Sequence, residues 1–296
     1  MELTDLHRHL DGSLRLATVR AWAKADGVSI PEPLGFQRGM GLQGALSRFA
    51  FTLSLLRAPE RVEQVAAEMC GDAAKNGVGV LEIRFAPQLH GPDPAPFVDA
   101  AVAGVAGRAG ILLCGLYGED PAVLERLVDL AAERPGVVGI DLAGGPSSGQ
   151  DFHLADYAAP FARAARLGLG RTVHAAEGRP PEEIRVAVEV LGAQRIGHGT
   201  TLLEDPAVLA LVLARGVTIE ACPTSNVHVG AIASVADHPL PRWLDLGVRA
   251  CINTDNTLFS EVDAPTEYAR ARAIPGMDDE KVARCVAFGR AAAFTR

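Results

Sequence analysis

The chain has 296 residues, 48% of them apolar and 22% charged, which supplies a sizeable core and is too hydrophobic for a disordered chain. A net charge of −8 excludes the basic surface that dominates nucleic-acid affinity, and no run of about 18 apolar residues is present to span a membrane. The N-terminus, MELTDLHRHLDGS, lacks a basic segment leading into an apolar one, and the five cysteines (Cys70, Cys114, Cys222, Cys251, Cys285) include no C-x-x-C pair. Both features predict a cytoplasmic protein in a reducing compartment.

In chain order, short β-branched runs bounded by Gly or polar residues predict strands at residues 3–10, 79–87, 110–118, 136–144, 170–177, 194–199, 217–226 and 248–256. Segments with helical spacing lie between them, among them PFVDAAVAGVAGRA, PAVLERLVDLAAER and DPAVLALVLARG. Residues 15–76 are too long for one crossover and predict several extra helices, part of them over the top of the sheet. Eightfold alternation of strand and helix predicts an α/β fold, a (β/α)8 TIM barrel with helices inserted after strand 1, spanning 1–296 as one domain. Parallel strands covered on both faces would account for the continuously apolar look of the runs.

Candidate ligands gather at the C-terminal ends of these strands, where barrel enzymes build their sites. His7 and His9 stand two apart on strand 1, so both imidazoles point to one face. Taken alone, that pair reads equally as two polar residues near a strand end. Its company is His174 in TVHAAEG, His198 in RIGHG and Asp255 in INTDN. Three histidines and a carboxylate suit a catalytic Zn2+, which keeps one position open for water.

The ordered series LHRHLDGSLR, LEIRFAPQL, GIDLAG, TVHAAEG, RIGHGT, ACPTSN, INTDN and the closing RAAAF resembles the adenosine deaminases of the amidohydrolase superfamily over nearly the whole chain. The resemblance implies one Zn2+ on His7, His9, His174 and Asp255, with Fe2+ or Mn2+ as other metals for such a site. It implies that His198, assisted by Asp255, takes up the proton of the attacking water. Glu177 would then be the acid that protonates purine N1, a role that needs a pKa raised by burial. Implied substrate contacts are His9, Asp11 to the ribose 5′-hydroxyl, the Gly144 N–H to purine N3, Ser225, and Asn256 to N7. The same residues have plainer readings: Glu177 as a carboxylate ahead of a helix N-terminus, Asp11 as an Asx turn before Gly12, and Ser225 as a turn after Pro223.

In the resemblance, Asp at position 11, rather than Glu or Asn, implies a nucleoside over free adenine or AMP, because an ionised Asp repels a 5′-phosphate. The expected reaction converts adenosine or 2′-deoxyadenosine to inosine or 2′-deoxyinosine and ammonia. The alternatives are a 5′-substituted adenosine such as aminodeoxyfutalosine or 5′-methylthioadenosine, free adenine, and a catalytically silent nucleoside-binding barrel. Three departures from the family pattern stand out: Asn256 where many relatives carry a second Asp, Pro146 in place of the acidic residue of AG-x-E, and no Arg in LYGED. The last two fall on loops at the substrate mouth. The chain stops soon after the last motif, which implies a compact member without the usual closing helix. A binuclear site bridged by a lysine is disfavoured, because strand 4 ends DLAGG and the only lysines are Lys24, Lys75 and Lys281. The thiolate site of the unrelated cytidine-type deaminases is disfavoured by the missing C-x-x-C. The expected partner is a small purine nucleoside, not a nucleic acid or a membrane.

Overall fold

The computed structural model describes residues 2–295. Eight parallel strands, β1 (Leu3–His9), β2 (Val78–Phe85), β3 (Gly110–Leu116), β4 (Val137–Ala143), β5 (Gly170–Ala175), β6 (Arg195–His198), β7 (Thr218–Ala221) and β8 (Arg249–Ile252), pair in sequence order. The barrel closes where the His9 N–H donates to the Asp255 carbonyl and the Asp255 N–H to the His7 carbonyl, both at 2.8 Å. This is the (β/α)8 barrel the alternation predicts.

Three helices fill the long insertion: α1 (Leu16–Asp26), α2 (Leu42–Leu55) and α3 (Pro59–Lys75). The crossovers carry α4 (Ala95–Val105), α5 (Pro121–Glu133), α6 (Ala158–Arg166), α7 (Glu182–Glu189) and α8 (Pro206–Arg215). Asp120 and Asp205 begin α5 and α8 by accepting backbone N–H bonds from the first turn, which satisfies donors that have no partner within the helix. No helix among the described residues is long and apolar enough to cross a membrane.

Two expectations about the ends of the elements are corrected. The run 217–226 is not one strand: β7 ends at Ala221, and Pro223 opens the short helix α9 (Pro223–His228). Proline pre-sets the first helical φ and cannot donate to a sheet ladder, so the chain turns there. A second short helix, α10 (Leu240–Asp245), precedes β8, and α11 (Ala264–Arg272) and α12 (Asp279–Ala292) follow it. The closing helix is therefore present, with Gly289 of α12 set against Thr4 of β1 and Cys251 of β8.

The apolar look of the strands describes only half of each. Ile83, Leu113, Ile140, Val173, Ile196, Ile219 and Ile252 join one core with helix residues such as Val65, Val98, Leu127 and Phe161. Several of the alternate positions are charged and buried: Arg84 of β2 reaches Asp141 of β4 at 2.8 Å and Glu220 of β7 at 2.9 Å. Arg195 of β6 pairs with Glu220 at 2.7 Å and with Glu82 of β2. Strands 2 and 6 are not neighbours, so these contacts cross the barrel interior, which is filled by an ion network and not by a layer of aliphatic side chains.

Candidate active site

Four side chains converge at the C-terminal mouth of the barrel. His9 Nε2 lies 3.2 Å from His174 Nε2, and Asp255 Oδ1 lies 3.6 Å from His7 Nε2 and 3.5 Å from His9 Nε2. Donors bound at about 2.0–2.2 Å and at tetrahedral angles stand roughly 3.3–3.6 Å apart. The rear nitrogens are tied: His7 Nδ1 sits 2.7 Å from Glu220 Oε2, and His174 Nδ1 sits 3.2 Å from Asp141 Oδ1. An Nδ1–H donated to a carboxylate leaves Nε2 bare and aimed, the arrangement that orients an imidazole as a ligand. His7 Nε2 is buried with no hydrogen-bond partner, a lone pair whose desolvation a bound cation would offset. Burial and the nearby Arg84 hold the His7 pKa well below the usual imidazole range, so the ring is neutral and able to coordinate. Burial opposes a charge on His174 as well, but Asp141 outweighs it and raises that pKa. The close donors form two groups that share His7, one with His9 and His174 and one with His198 and Asp255; the donor chemistry and its carboxylate backing fit a Zn2+-type ion.

The backbone at these strand ends is strained. Ala176, His198 and Asp255 have φ of 56°, 69° and 59°, a region that side chains with a Cβ enter only when the surroundings enforce it. These residues follow β5, end β6 and follow β8, so the strain lies where the candidate side chains are aimed.

Beside the four donors, Glu177 is 8% exposed and His198 1%, and Glu177 Oε1 stands 3.2 Å from His198 Nδ1. Burial pushes the Glu177 pKa upward against the pull of Arg179, His174 and Asn226. The carboxyl therefore holds its proton to higher pH than an exposed Glu, as a general acid near neutrality must.

The remaining expected contacts line two adjoining cavities of about 400 and 50 Å3, which share His9, Leu46, Phe49 and Gly144 as walls. Asp11 faces the larger one, with Oδ1 buried and unpartnered. Burial raises its pKa to about 7, which corrects the expectation of a fully ionised Asp; repulsion of a 5′-phosphate is weaker than that expectation assumed. Gly144 adopts φ 81°, with nothing within 4 Å of where a Cβ would stand. Ser225 lines the smaller cavity together with Asp255. The Asn256 Nδ2 donates to Asp255 Oδ1 at 2.7 Å, so one of its two amide hydrogens is already used. Its side chain occupies the space a Cβ on Gly12 would take, 1.8 Å from Asn256 Oδ1. Larger cavities, of about 590 Å3 beside Arg195 and Arg249 and about 750 Å3 beside Arg8 and Asp263, lie away from these groups.

Sequence reasoning missed Asn226, the carboxylates Asp141 and Glu220, Arg84, and the α2 wall of Leu46 and Phe49. Asp141 and Glu220 did leave a signal, since each is an ionisable residue in the middle of an apolar strand. Asn226 closes the motif ACPTSN, but its stretch was read as strand and no role was given to it.

The family model for adenosine deaminase matches residues 3–295. An adenosine deaminase of Erwinia tasmaniensis is 33% identical over 306 residues, covering 95% of this chain and 90% of that protein. The solved adenine deaminase of Arthrobacter aurescens superposes with TM-score 0.90 at 24% identity, covering 100% of this chain and 94% of the other. A zinc-bound amidohydrolase of Burkholderia ambifaria superposes with TM-score 0.87 at 21% identity, covering 100% and 86%.

Proposed function

Because this chain belongs to the adenosine deaminase family, hydrolases of C–N bonds in cyclic amidines, we propose that it removes the 6-amino group of a purine nucleoside, adenosine or 2′-deoxyadenosine, as one metal-dependent domain. The observation that carries this reading is the placement of a buried acid, Glu177, and His198 against four donors at a single barrel mouth. His7, His9, His174 and Asp255 would hold Zn2+, or Fe2+ or Mn2+ at the same N/O donors, and the ion supplies the Lewis acidity that lets water lose a proton near neutral pH.

The chain's own groups carry the rest. His198 takes up the proton released by the water and, with Asp255, orients the oxygen toward C6. Glu177 gives its proton to N1, which draws electrons from C6; once the oxygen has bonded to C6, the amino group takes the proton held by His198 and leaves as ammonia as the C6–N bond breaks. The Gly144 N–H donates to N3, Asn256 donates to N7 through its second amide hydrogen, and Ser225 lines the same small cavity. Asp11 bonds the ribose 5′-hydroxyl.

A second reading, an adenosine with an apolar 5′ substituent such as 5′-methylthioadenosine, is favoured by the larger cavity. Its walls include Leu46, Phe49, Leu53, Leu89 and Leu116, and no Lys or Arg lines it among the described residues. The same lining argues against AMP, whose phosphate would need a cation.

The test is an ultraviolet assay of the metal-loaded protein on adenosine, 2′-deoxyadenosine, 5′-methylthioadenosine, adenine and AMP. Nucleosides should turn over fastest, and a chelator should abolish activity until Zn2+ is restored. Failure to turn over any of the five with metal bound would overturn the reading. The ribose contact has its own check: Asp11→Ala should raise KM for nucleosides by about 3- to 10-fold, the worth of a typical hydrogen bond, and leave any adenine activity unchanged. Equal effects on both substrates would remove Asp11 from the ribose site.

A further inference from the structure

Asn226 lies in α9, wholly buried, and its side chain meets two groups of the proposed machinery. Nδ2 is 2.9 Å from Glu177 Oε1 and 3.1 Å from His198 Nδ1. Its backbone is occupied elsewhere: the Asn226 N–H donates to Cys222, and its carbonyl accepts from Ala231 and Ile232. The fold of α9 therefore does not depend on the carboxamide, and Oδ1 is buried without a partner.

We propose that Asn226 is a positioning residue for the deamination, a single carboxamide that fixes the carboxyl of Glu177 and the ring of His198 relative to each other. This rests on the reading of Glu177 and His198 given above. With Oε1 of Glu177 tied to the amide, Oε2 is the oxygen free to carry a proton to the substrate. With Nδ1 of His198 tied, its Nε2 is the nitrogen left for the metal side. A carboxamide suits this place because a half-turn exchanges Nδ2 for Oδ1. Its Nδ2 can serve Oε1 of Glu177 whether or not Oε2 carries the proton; after the half-turn its Oδ1 accepts from an Nδ1–H of His198, the tautomer that leaves Nε2 bare. One side chain thus offers the pair both a donor and an acceptor, which neither a carboxylate nor a methyl group in its place can do.

Other charged groups bear on Glu177: His174 from β5, Arg179 and Glu183 from the segment leading into and through α7, His198 from β6, and Asp255 after β8. Among the described residues, only Asn226 bonds both Glu177 and His198.

The experiment compares metal-loaded wild type, Asn226→Ala and Asn226→Asp on the best nucleoside of the panel. Expected for both variants is a kcat lowered by about 10- to 100-fold, the usual size of a lost supporting contact, with KM and metal content near wild type. The alkaline limb of the kcat profile should move to higher pH in Asn226→Ala, because Glu177 loses an N–H that stabilises its carboxylate. It should move further in Asn226→Asp, where a second negative charge stands beside it. A side chain that only fills space would leave that limb in place, and the isosteric Asp would restore kcat. An unmoved limb, or a kcat within about twofold of wild type, overturns the proposal while wild-type turnover keeps the parent reading. Should Asn226→Ala fail to fold, Asn226→Asp decides by the same two measures. No turnover by wild type on any substrate overturns the parent reading, and this inference with it.

Discussion

Glu177→Gln should lose turnover by about 10²- to 10⁴-fold, the usual worth of a positioned general acid, while keeping its metal and most of its affinity for substrate. The carboxyl is 8% exposed, and burial raises its pKa over the opposition of Arg179, His174 and Asn226. Its protonated form is the active one, so activity in the wild type should fall as pH rises through that pKa. Glutamine keeps the shape. Its Oε1 can accept the Asn226 Nδ2 now 2.9 Å from Glu177, and its Nε2 can still donate a hydrogen bond to N1. An amide cannot transfer that proton, so the loss should fall on kcat and the alkaline limb assigned to Glu177 should vanish. Glu177 is also outside the close donor groups that could hold an ion, so metal content by elemental analysis should match wild type. A kcat within tenfold of wild type would show that Glu177 is not the acid, and loss of metal would make it a ligand.

How much of this was legible in the sequence depends on what each residue needed for recognition. His7, His9, His174, His198 and Asp255 were found because strand parity and strand ends are local properties, and a polar residue at the end of an apolar run is conspicuous. The eight strands followed from the same alternation. Residues whose meaning lies across the barrel were not found. Arg84 and Arg195 are unremarkable letters in LEIRF and QRIGH until strands 2, 4, 6 and 7 face one another around the interior. Asn226 was hidden by a misjudged element, since a β-branched run leading into Cys-Pro-Thr-Ser-Asn continues as strand only if Pro223 is ignored. The state of Asp11 depends on burial, which no spacing reports. The α2 wall comes from an insertion whose helices were expected but whose residues facing the cavity were not named.

The interior network leads to the largest effect expected on stability. Arg84→Met should destabilise the metal-free protein by about 3–5 kcal/mol, the range for removing one partner of a buried ion pair, and lower Tm by roughly 6–15 °C. Arg84 is fully buried and its guanidinium is divided three ways: Asp141 at 2.8 Å, Glu220 at 2.9 Å and the Leu6 carbonyl at 2.6 Å. Methionine follows the aliphatic stem but ends where Nε stands, so a cavity at the guanidinium position adds to the electrostatic cost. Asp141 then keeps His174 at 3.2 Å, and Glu220 keeps His7 at 2.7 Å, Thr172 at 2.9 Å and Arg195 at 2.7 Å. Asp141 is then left without an arginine, and Glu220 with Arg195 alone, which Glu82 shares, in the buried interior of the barrel. These two carboxylates also orient His7 and His174, so the variant should bind metal differently from wild type as well as unfold earlier. Added Zn2+ should recover part of the lost Tm, because a ligand that binds only the folded state stabilises it by mass action. Thermal unfolding of metal-free wild type and Arg84→Met, each repeated with Zn2+, measures both effects. A metal-free Tm within about 2 °C of wild type would mean that the interior charges contribute almost nothing net, and the barrel would then owe its stability to the aliphatic outer faces of its strands alone.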